Sequence, residues 1–340
     1  MSVRKRILMA DRATVYHVIS RTAYQSFLFN EEAKGVFVRM LFHQAAFAGV
    51  DVLGYCVMSN HIHLLIRVTP VDSLPDSTLL ERYGNYYGDI KIPQSSLSLD
   101  ALRRTLDTGG HEAEAARQRI LSRMGDLPAF MRELKQRFTL WYNHKHDNKG
   151  TIWAARYKSL IVEDCTESLT RVAAYIDLNP VRAEIVEDPK DYTWCGYAAC
   201  LRGNRLMKDA LRELFLGQYD GTEALNNYRL ILFGKGYQSK GDAGSNRGRI
   251  SAETLEKVER RQGQVPIHEL LRLRIRYFSD SLALGTQPFV ESVYKAHRSA
   301  FGPNRQRPGS PLPLENWGAL HTLRDLKRRV YSSPPETISN

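Results

Sequence analysis

The chain has 340 residues, of which 43% are hydrophobic and 25% are charged, and its formal net charge is +11. A chain of this length can bury a sizeable core and is typical of two domains. It has no apolar run near the roughly 20 residues that cross a membrane, which argues against a membrane protein. The basic amino-terminal stretch lacks the continuous apolar segment of a secretory signal, so we expect a soluble, cytoplasmic protein. The four cysteines form no CxxC pair, and we expect reduced, mostly buried thiols.

The positive charge is unevenly distributed along the chain. Residues 1–200 hold 25 Lys and Arg against 23 Asp and Glu, whereas residues 201–340 hold 23 against 14. The carboxy-terminal part is therefore the basic part. Such an asymmetry favours a polyanionic partner, nucleic acid first, although a merely basic surface would give the same count.

The first predicted elements are a strand, a helix and a hairpin. Residues 14–20, TVYHVIS, form a predicted strand, and residues 30–49 have apolar residues at helical spacing. Two more predicted strands, VDVLGYCVM at 50–58 and HIHLLIRV at 61–68, are joined by a Ser-Asn turn. Residues 71–126 lose this periodicity and are typical of an insertion at a loop.

Beyond the insertion the pattern resumes with a helix, a strand and a helix. The helix is predicted over 127–146, the strand over 152–164, and the last helix over 164–180, where Pro180 ends it. The full order of strand, helix, hairpin, helix, strand and helix predicts an α+β fold with one antiparallel sheet.

Two pairs of polar residues indicate a reactive site. His61 and His63 are two apart on a predicted strand, so their side chains share one face. Tyr175 and Asn179 are four apart on a predicted helix and also share a face. If that helix packs over the histidines, two imidazoles, an amide oxygen and a phenol form a divalent-metal site beside a potential nucleophile. Taken alone, each motif is more often an ordinary buried polar or aromatic residue.

Four stretches carry a recognisable pattern: YHVISR at 16–21, GYCVMSNHIHLLI at 54–66, WAARYKS at 153–159 and AAYIDLNPVRAEIVEDPKDYTWCGY at 173–197. Together they resemble a known family, the IS200-like Y1 transposases, and especially its branch of REP-associated tyrosine transposases. The resemblance implies the fold of the HUH endonucleases, a ferredoxin-like or RRM-like antiparallel sheet with helices on one face. It also implies a transposase-like enzyme that cuts single-stranded DNA near hairpins.

The resemblance implies a role for each residue of the site. His61, His63 and Asn179 would be ligands of Mg²⁺ or Mn²⁺, and Tyr175 would be the nucleophile that forms a 5′-phosphotyrosine intermediate. Ser59 departs from the family, which usually has Pro before the Asn-His pair. The partner would be single-stranded DNA with hairpin or repeat ends, no membrane would be involved, and the protein would be a monomer or a homodimer.

Aromatic and cationic residues interleave after residue 152, a pattern that suits single-stranded DNA through base stacking and phosphate pairing. A solvated strand edge would show the same pattern. The predicted DNA-binding residues are Arg21, Trp153, Arg156, Tyr157, Lys158, Arg182, Lys295 and Arg298.

The predicted organisation has three parts. Residues 1–203 are the Y1 HUH transposase/nuclease domain, interrupted by the 71–126 insertion, and residues 204–249 are a connecting segment and linker. Residues 250–340 form a basic, mainly α-helical region. There SDSLALGT is predicted to be a turn between two helices, the second over 287–300. This is either a helix-turn-helix that contacts a duplex stem or a plain helical hairpin that packs on the catalytic domain.

Three other functions are compatible with the sequence. One is a domesticated enzyme that processes chromosomal repeats, and another is a noncatalytic DNA-binding repressor on the same fold. The third, RNA binding on an RRM-like sheet, is less favoured because the sheet carries histidines where stacking aromatic residues are needed.

Overall fold

The computed structural model describes residues 7–88, 98–233, 271, 277–312 and 317–323. The strands are β1 (Thr14–Arg21), β2 (Val50–Val57), β3 (His61–Val68), β4 (Lys158–Val162), β5 (Ala283–Gly285), β6 (Ser310–Pro311) and β7 (His321–Thr322). The helices are α1 (Glu31–Ala48), α2 (Asp76–Tyr87), α3 (Leu99–Thr108), α4 (Gly110–Leu121), α5 (Leu127–His146), α6 (Thr166–Asp177), α7 (Asn179–Arg182), α8 (Gly196–Leu201), α9 (Arg205–Glu213), α10 (Gly221–Phe233), α11 (Tyr277–Asp280) and α12 (Gln287–Ala296). None of these helices combines the length and the apolar composition that crossing a membrane requires.

The strands form one sheet in the order β2-β3-β1-β4-β5-β7-β6. The first four strands of this order are antiparallel. They give a ferredoxin-like arrangement because α1 connects β1 to the β2–β3 hairpin, α5 leads from that hairpin to β4, and the two helices pack against each other. The predicted α+β class and its ferredoxin-like antiparallel sheet are therefore confirmed for β1–β4. The strand β5 pairs in parallel with β4, so the complete sheet is mixed.

Helices cover both faces of the sheet, and the expectation of helices on one face is wrong. Tyr55 of β2 lies opposite Leu64 of β3, and its ring packs edge-on against Phe42 of α1 at 5.7 Å between centroids. On the other face His63 packs against Tyr175 of α6 at 6.2 Å. A strand buried on both faces explains why β3 is almost continuously apolar between its histidines and Val68.

The 71–126 insertion is a set of helices, α2 to α4, that pack on the ferredoxin-like unit. Arg123, after α4, forms an ion pair with Glu133 of α5 at 2.8 Å, and its guanidinium lies 4.6 Å from the ring centroid of Phe47. Tyr86 stacks on the same Phe47 ring at 4.4 Å. These contacts depend on a few large side chains within a mostly polar sequence. The periodicity of the sequence therefore does not predict that the insertion packs on the sheet.

The carboxy-terminal region adds strands to the sheet and is not a separate helical unit in its described part. Within SDSLALGT, the predicted turn, β5 pairs with β4 so that Ala283 lies opposite Ile161 and Leu284 opposite Val162. The helix-turn-helix interpretation is wrong because a strand occupies the place of the turn. The second predicted helix exists as α12. The Gly-rich part of the linker at 234–249 lies outside the described residues, as does most of the first predicted helix.

Candidate active site

The site is built on three histidines of the two central strands. His61 and His63 project from the same face of β3, as the alternation predicts. His17 of β1 joins them, because the antiparallel register places Ile19 opposite His63 and Arg21 opposite His61. The Nε2 atom of His17 lies 2.9 Å from Nδ1 of His63, and the two rings stack at 5.1 Å between centroids.

Hydrogen bonds determine which nitrogen of each imidazole carries a proton. Nδ1 of His17 lies 2.7 Å from the backbone carbonyl oxygen of Phe278, which can only accept, so Nδ1 donates. In a neutral ring, Nε2 of His17 must then accept, and Nδ1 of His63 donates to it. On the other side, Nδ1 of His61 lies 2.6 Å from Oδ1 of Asn60 and donates to that amide oxygen. Both β3 histidines thereby keep Nε2 as the nitrogen with a lone pair.

Burial supports these neutral rings. His17 is 1% exposed and His63 is 3% exposed. Burial lowers the pKa of His17 to about 4, and it lowers the pKa of His63 well below its ordinary value, with the nearby His61 adding to the effect. Both imidazoles are therefore uncharged at neutral pH, which is the form that binds a metal ion.

Tyr175 of α6 lies over these histidines. Its ring centroid is 6.1 Å from that of His17 and 6.2 Å from that of His63, both edge-on. Phe278 stacks on the tyrosine ring at 5.1 Å, and the guanidinium of Arg182 lies 4.0 Å from its centroid. The ring is 4% exposed, and its hydroxyl makes no hydrogen bond to any of the residues that the structure describes. The phenol oxygen is thus not committed to another protein group there.

Asn179 starts α7, one turn beyond Tyr175. Its amide nitrogen donates to the carbonyl oxygens of Ile176 at 3.3 Å and of Tyr175 at 3.5 Å, so the side chain satisfies the end of α6. These bonds use the nitrogen of the amide, whereas a metal ion would bind its oxygen. The role of Asn179 as a metal ligand stays a prediction.

Asp177 holds α6 in place. Its carboxylate accepts hydrogen bonds from the hydroxyl of Tyr228 in α10 at 2.6 Å and from the backbone N–H of Tyr197 in α8 at 3.1 Å. Asp177 follows Tyr175 by two residues, so it lies on the opposite side of the helix and points away from the histidines. The two bonds fix the rotation of α6 and so the direction of the Tyr175 ring.

The predicted stacking residues after residue 152 are mostly buried. Trp153 is 6% exposed, packs against Phe29 at 5.9 Å and donates from its indole nitrogen to Oγ1 of Thr139 at 3.0 Å. Tyr157 is 7% exposed. A base cannot stack on a covered ring, so the structure does not support DNA stacking on these two residues.

The predicted cationic contacts are more accessible but several are engaged. Arg156 and Lys158 are exposed, and Lys158 forms an ion pair with Asp280 at 3.0 Å. Lys295 and Arg298 are exposed on and after α12, and Arg298 donates to backbone carbonyls of residues 301–303.

Two further predicted DNA-binding cations lie in the site itself. Arg21 is half-buried at the end of β1, opposite His61. Arg182 donates to the carbonyl oxygens of Tyr175 at 2.6 Å and of Leu271 at 2.8 Å. It therefore holds the tyrosine and the carboxy-terminal region together, a role that its place in the sequence does not reveal.

Sequence reasoning missed His17, Asn60 and Phe278. His17 lies in the 16–21 stretch, and period two places it on one face of its strand, yet only the register between β1 and β3 shows that this face carries the histidine pair. Phe278 is 261 residues from His17 and carries no local signal of its function.

The ferredoxin-like sheet presents an HxH pair to a tyrosine-bearing helix, which is the arrangement that the resemblance to the HUH endonucleases implies. Residues 12–78 match the family model described as transposase IS200 like. This match supports a transposase-like, DNA-processing function. No curated protein matches the chain. A solved structure of a REP-associated tyrosine transposase bound to a REP hairpin is 13% identical, with a TM-score of 0.37, over 60% of this chain and 87% of that one. Likeness of that degree carries no argument about function.

The buried Asp177 predicts a pH dependence of stability. Burial raises its pKa from 3.8 to about 6, so the folded state holds a proton that the unfolded chain has released, and stability falls as pH rises through 6. We expect Asp177→Asn to remove this loss. Between pH 5 and pH 8 the free energy of unfolding of the variant should gain about 1 kcal/mol relative to the wild type in urea titrations. Asp191→Asn, at an exposed aspartate, is the control. A constant difference for Asp177→Asn across this range would contradict the assignment.

Proposed function

We propose that the protein is a single-strand DNA endonuclease and transesterase of the REP-associated tyrosine transposase branch, acting in the cytoplasm beside hairpin or repeat sequences. The observation that carries this proposal is the position of the Tyr175 ring, edge-on to both His17 and His63 on one face of the sheet. A phenol beside neutral, preorganised imidazoles is the arrangement that a metal-assisted tyrosine nucleophile requires.

The reaction is a transesterification that conserves the phosphodiester bond energy. The phenol oxygen of Tyr175 attacks the phosphorus, the bond from phosphorus to the 3′ oxygen breaks, and that oxygen leaves as a 3′ hydroxyl after taking a proton. The new tyrosyl ester keeps the 5′ phosphate activated, so another 3′ hydroxyl can attack it and release the tyrosine. No external energy source is needed.

The protein supplies orientation for this reaction. Phe278 and Arg182 both pack against the Tyr175 ring and limit its motion, which favours a fixed direction of attack. The guanidinium of Arg182 also places a positive charge near the phenol. That charge favours the approach of a phosphate.

The donor set of the site suits a divalent cation. Nε2 of His61 and Nε2 of His63 are left with lone pairs, and the amide oxygen of Asn179 is the proposed third protein ligand. No group of three or more His, Cys, Asp or Glu side chains able to hold a metal exists within the described ranges, so the site relies on few protein ligands. Two imidazoles favour Mn²⁺ over Mg²⁺, while the abundance of Mg²⁺ favours the latter. When bound, the cation would polarise the scissile phosphate and stabilise the leaving oxygen.

A second candidate is a noncatalytic or domesticated DNA-binding protein that acts on chromosomal repeats. The observation that favours it is the cover over the nucleophile, since Phe278 stacks on Tyr175 and leaves the residue 4% exposed. Such a protein would bind the same hairpins, as a monomer or a homodimer, without forming a covalent product.

The nucleophile distinguishes these two candidates. Tyr175→Phe removes one oxygen that has no hydrogen bond among the described residues, so we expect the variant to fold and bind DNA like the wild type. Covalent complexes with a labelled hairpin oligonucleotide, seen on a denaturing gel, should disappear completely because no other atom can form the ester. Tyr157→Phe is the matched control and should keep the covalent band. A covalent band in Tyr175→Phe refutes the assignment, and its absence in the wild type favours the noncatalytic protein.

The hydrogen-bonded His17 predicts a change in metal affinity. His17→Asn keeps a donor toward the Phe278 carbonyl and removes the acceptor facing His63, whereas His17→Gln keeps an acceptor there. Because such outer partners fix the orientation and basicity of a ligand, we expect the dissociation constant for Mn²⁺ to rise roughly 10- to 100-fold in His17→Asn and to change little in His17→Gln. Calorimetry on the metal-free protein measures both. Equal affinities in the two variants would contradict the role of His17.

A further inference from the structure

A short loop between β1 and α1 exposes two aromatic rings. Tyr24 is 100% exposed and Phe27 is 78% exposed, the highest fractions for large hydrophobic residues in the described part of the chain. Burying an aromatic ring is favourable, so leaving both rings in water is costly for a loop with no further role.

The backbone of this loop is held in an uncommon conformation. Tyr24 and Gln25 both have positive φ angles, of 54° and 55°, although neither is glycine. Such conformations cost free energy and persist where surrounding contacts impose them. Here they turn the Tyr24 side chain outward, away from the core.

Hydrogen bonds anchor the loop on both sides. The N–H of Thr22 donates to the carbonyl oxygen of Asn60 at 3.0 Å, and the N–H of Phe29 donates to that of Ser59 at 3.0 Å. The N–H of Ala23 donates to the carbonyl oxygen of Ile152 at 2.8 Å. The rings therefore stand on a fixed support, which lowers the entropy lost on binding a partner.

The same contacts tie the loop to the histidine pair. Asn60 accepts from His61 through Oδ1 and donates through Nδ2 to the carbonyl oxygen of Gln25 at 3.3 Å. Arg21, at the start of the loop, lies opposite His61 in the sheet. Asn60 thus contacts both the loop that carries the exposed rings and the candidate metal ligand His61. Arg21 lies beside this contact.

We propose that Tyr24 and Phe27 form a stacking site for unpaired bases of the single strand that enters the candidate active site. This inference rests on the proposed function for the identity of the DNA strand. Aromatic faces accept any base, and they are effective when a cation such as Arg21 meets the adjacent phosphate. Inside a duplex each base is covered on both faces by its stacked neighbours, so the site favours unpaired nucleotides. Tyr24 and Phe27 would thus stack on the bases, which Trp153 and Tyr157 cannot do because they are buried.

The test compares two oligonucleotides that share one hairpin stem, one blunt and one with a single-stranded overhang carrying 2-aminopurine. Tyr24→Ala and Phe27→Ala should each weaken binding of the overhang DNA roughly tenfold or more and restore the 2-aminopurine fluorescence, while binding of the blunt stem stays unchanged. Tyr24→Trp should retain both affinity and quenching. Leu206→Ala, at another exposed apolar residue, is the control and should bind both DNAs like the wild type.

Three outcomes would overturn the inference. They are unchanged overhang binding in the double variant, an equal loss of affinity for both DNAs, and a wild-type dimer that Tyr24→Ala converts to a monomer, which would make the rings a self-association surface. The variants need only be compared for binding, so the result is independent of covalent chemistry. Loss of overhang binding without any tyrosyl product in the wild type would refute the nuclease and leave the stacking site standing.

Discussion

The hydrogen-bonded chain from the Phe278 carbonyl through His17 to His63 is the interaction on which the site depends. It joins β1, β3 and the carboxy-terminal region, segments separated by 46 and 261 residues in the sequence. Because a carbonyl oxygen can only accept, the direction of every proton in the chain follows from its far end. The carbonyl oxygen of Phe278, which lies outside the ferredoxin-like unit, therefore determines which nitrogen of His63 carries the lone pair.

The carboxy-terminal region is accordingly part of the site and of the sheet. β5 pairs with β4, Phe278 covers the Tyr175 ring, and Arg182 bonds to the carbonyl oxygen of Leu271. A division at residue 203 separates the family-like segment from the carboxy-terminal part of the chain, yet contacts cross that boundary at the reactive centre. The basic charge of the region and its packing role are compatible, since Lys295 and Arg298 are exposed while Val290, Val293 and Trp317 are buried.

The periodicity of apolar residues predicted the helices and strands that have a clear repeat. It failed where the structure depends on which strands pair with each other. The order from β1 to α6, and the shared face of His61 and His63, follow from repeats of two and of 3.6 residues. A three-residue strand such as β5 has no repeat to detect, and it was therefore predicted to be a turn. The alternation of rings and cations around Trp153 could not show that neighbouring helices cover the ring. His17 required the register between two strands that are not adjacent in sequence.

The protonation of His63 tests the central claim most directly. Long-range ¹⁵N–¹H correlation spectra of the metal-free protein at pH 7.5 distinguish a protonated imidazole nitrogen from a bare one, and loss of the signal in His63→Gln assigns the ring. The hydrogen-bond chain predicts a neutral ring with the proton on Nδ1 and none on Nε2. A proton on Nε2 of His63, or on both nitrogens, would contradict the account, because the nitrogen that should face a metal ion would already be occupied.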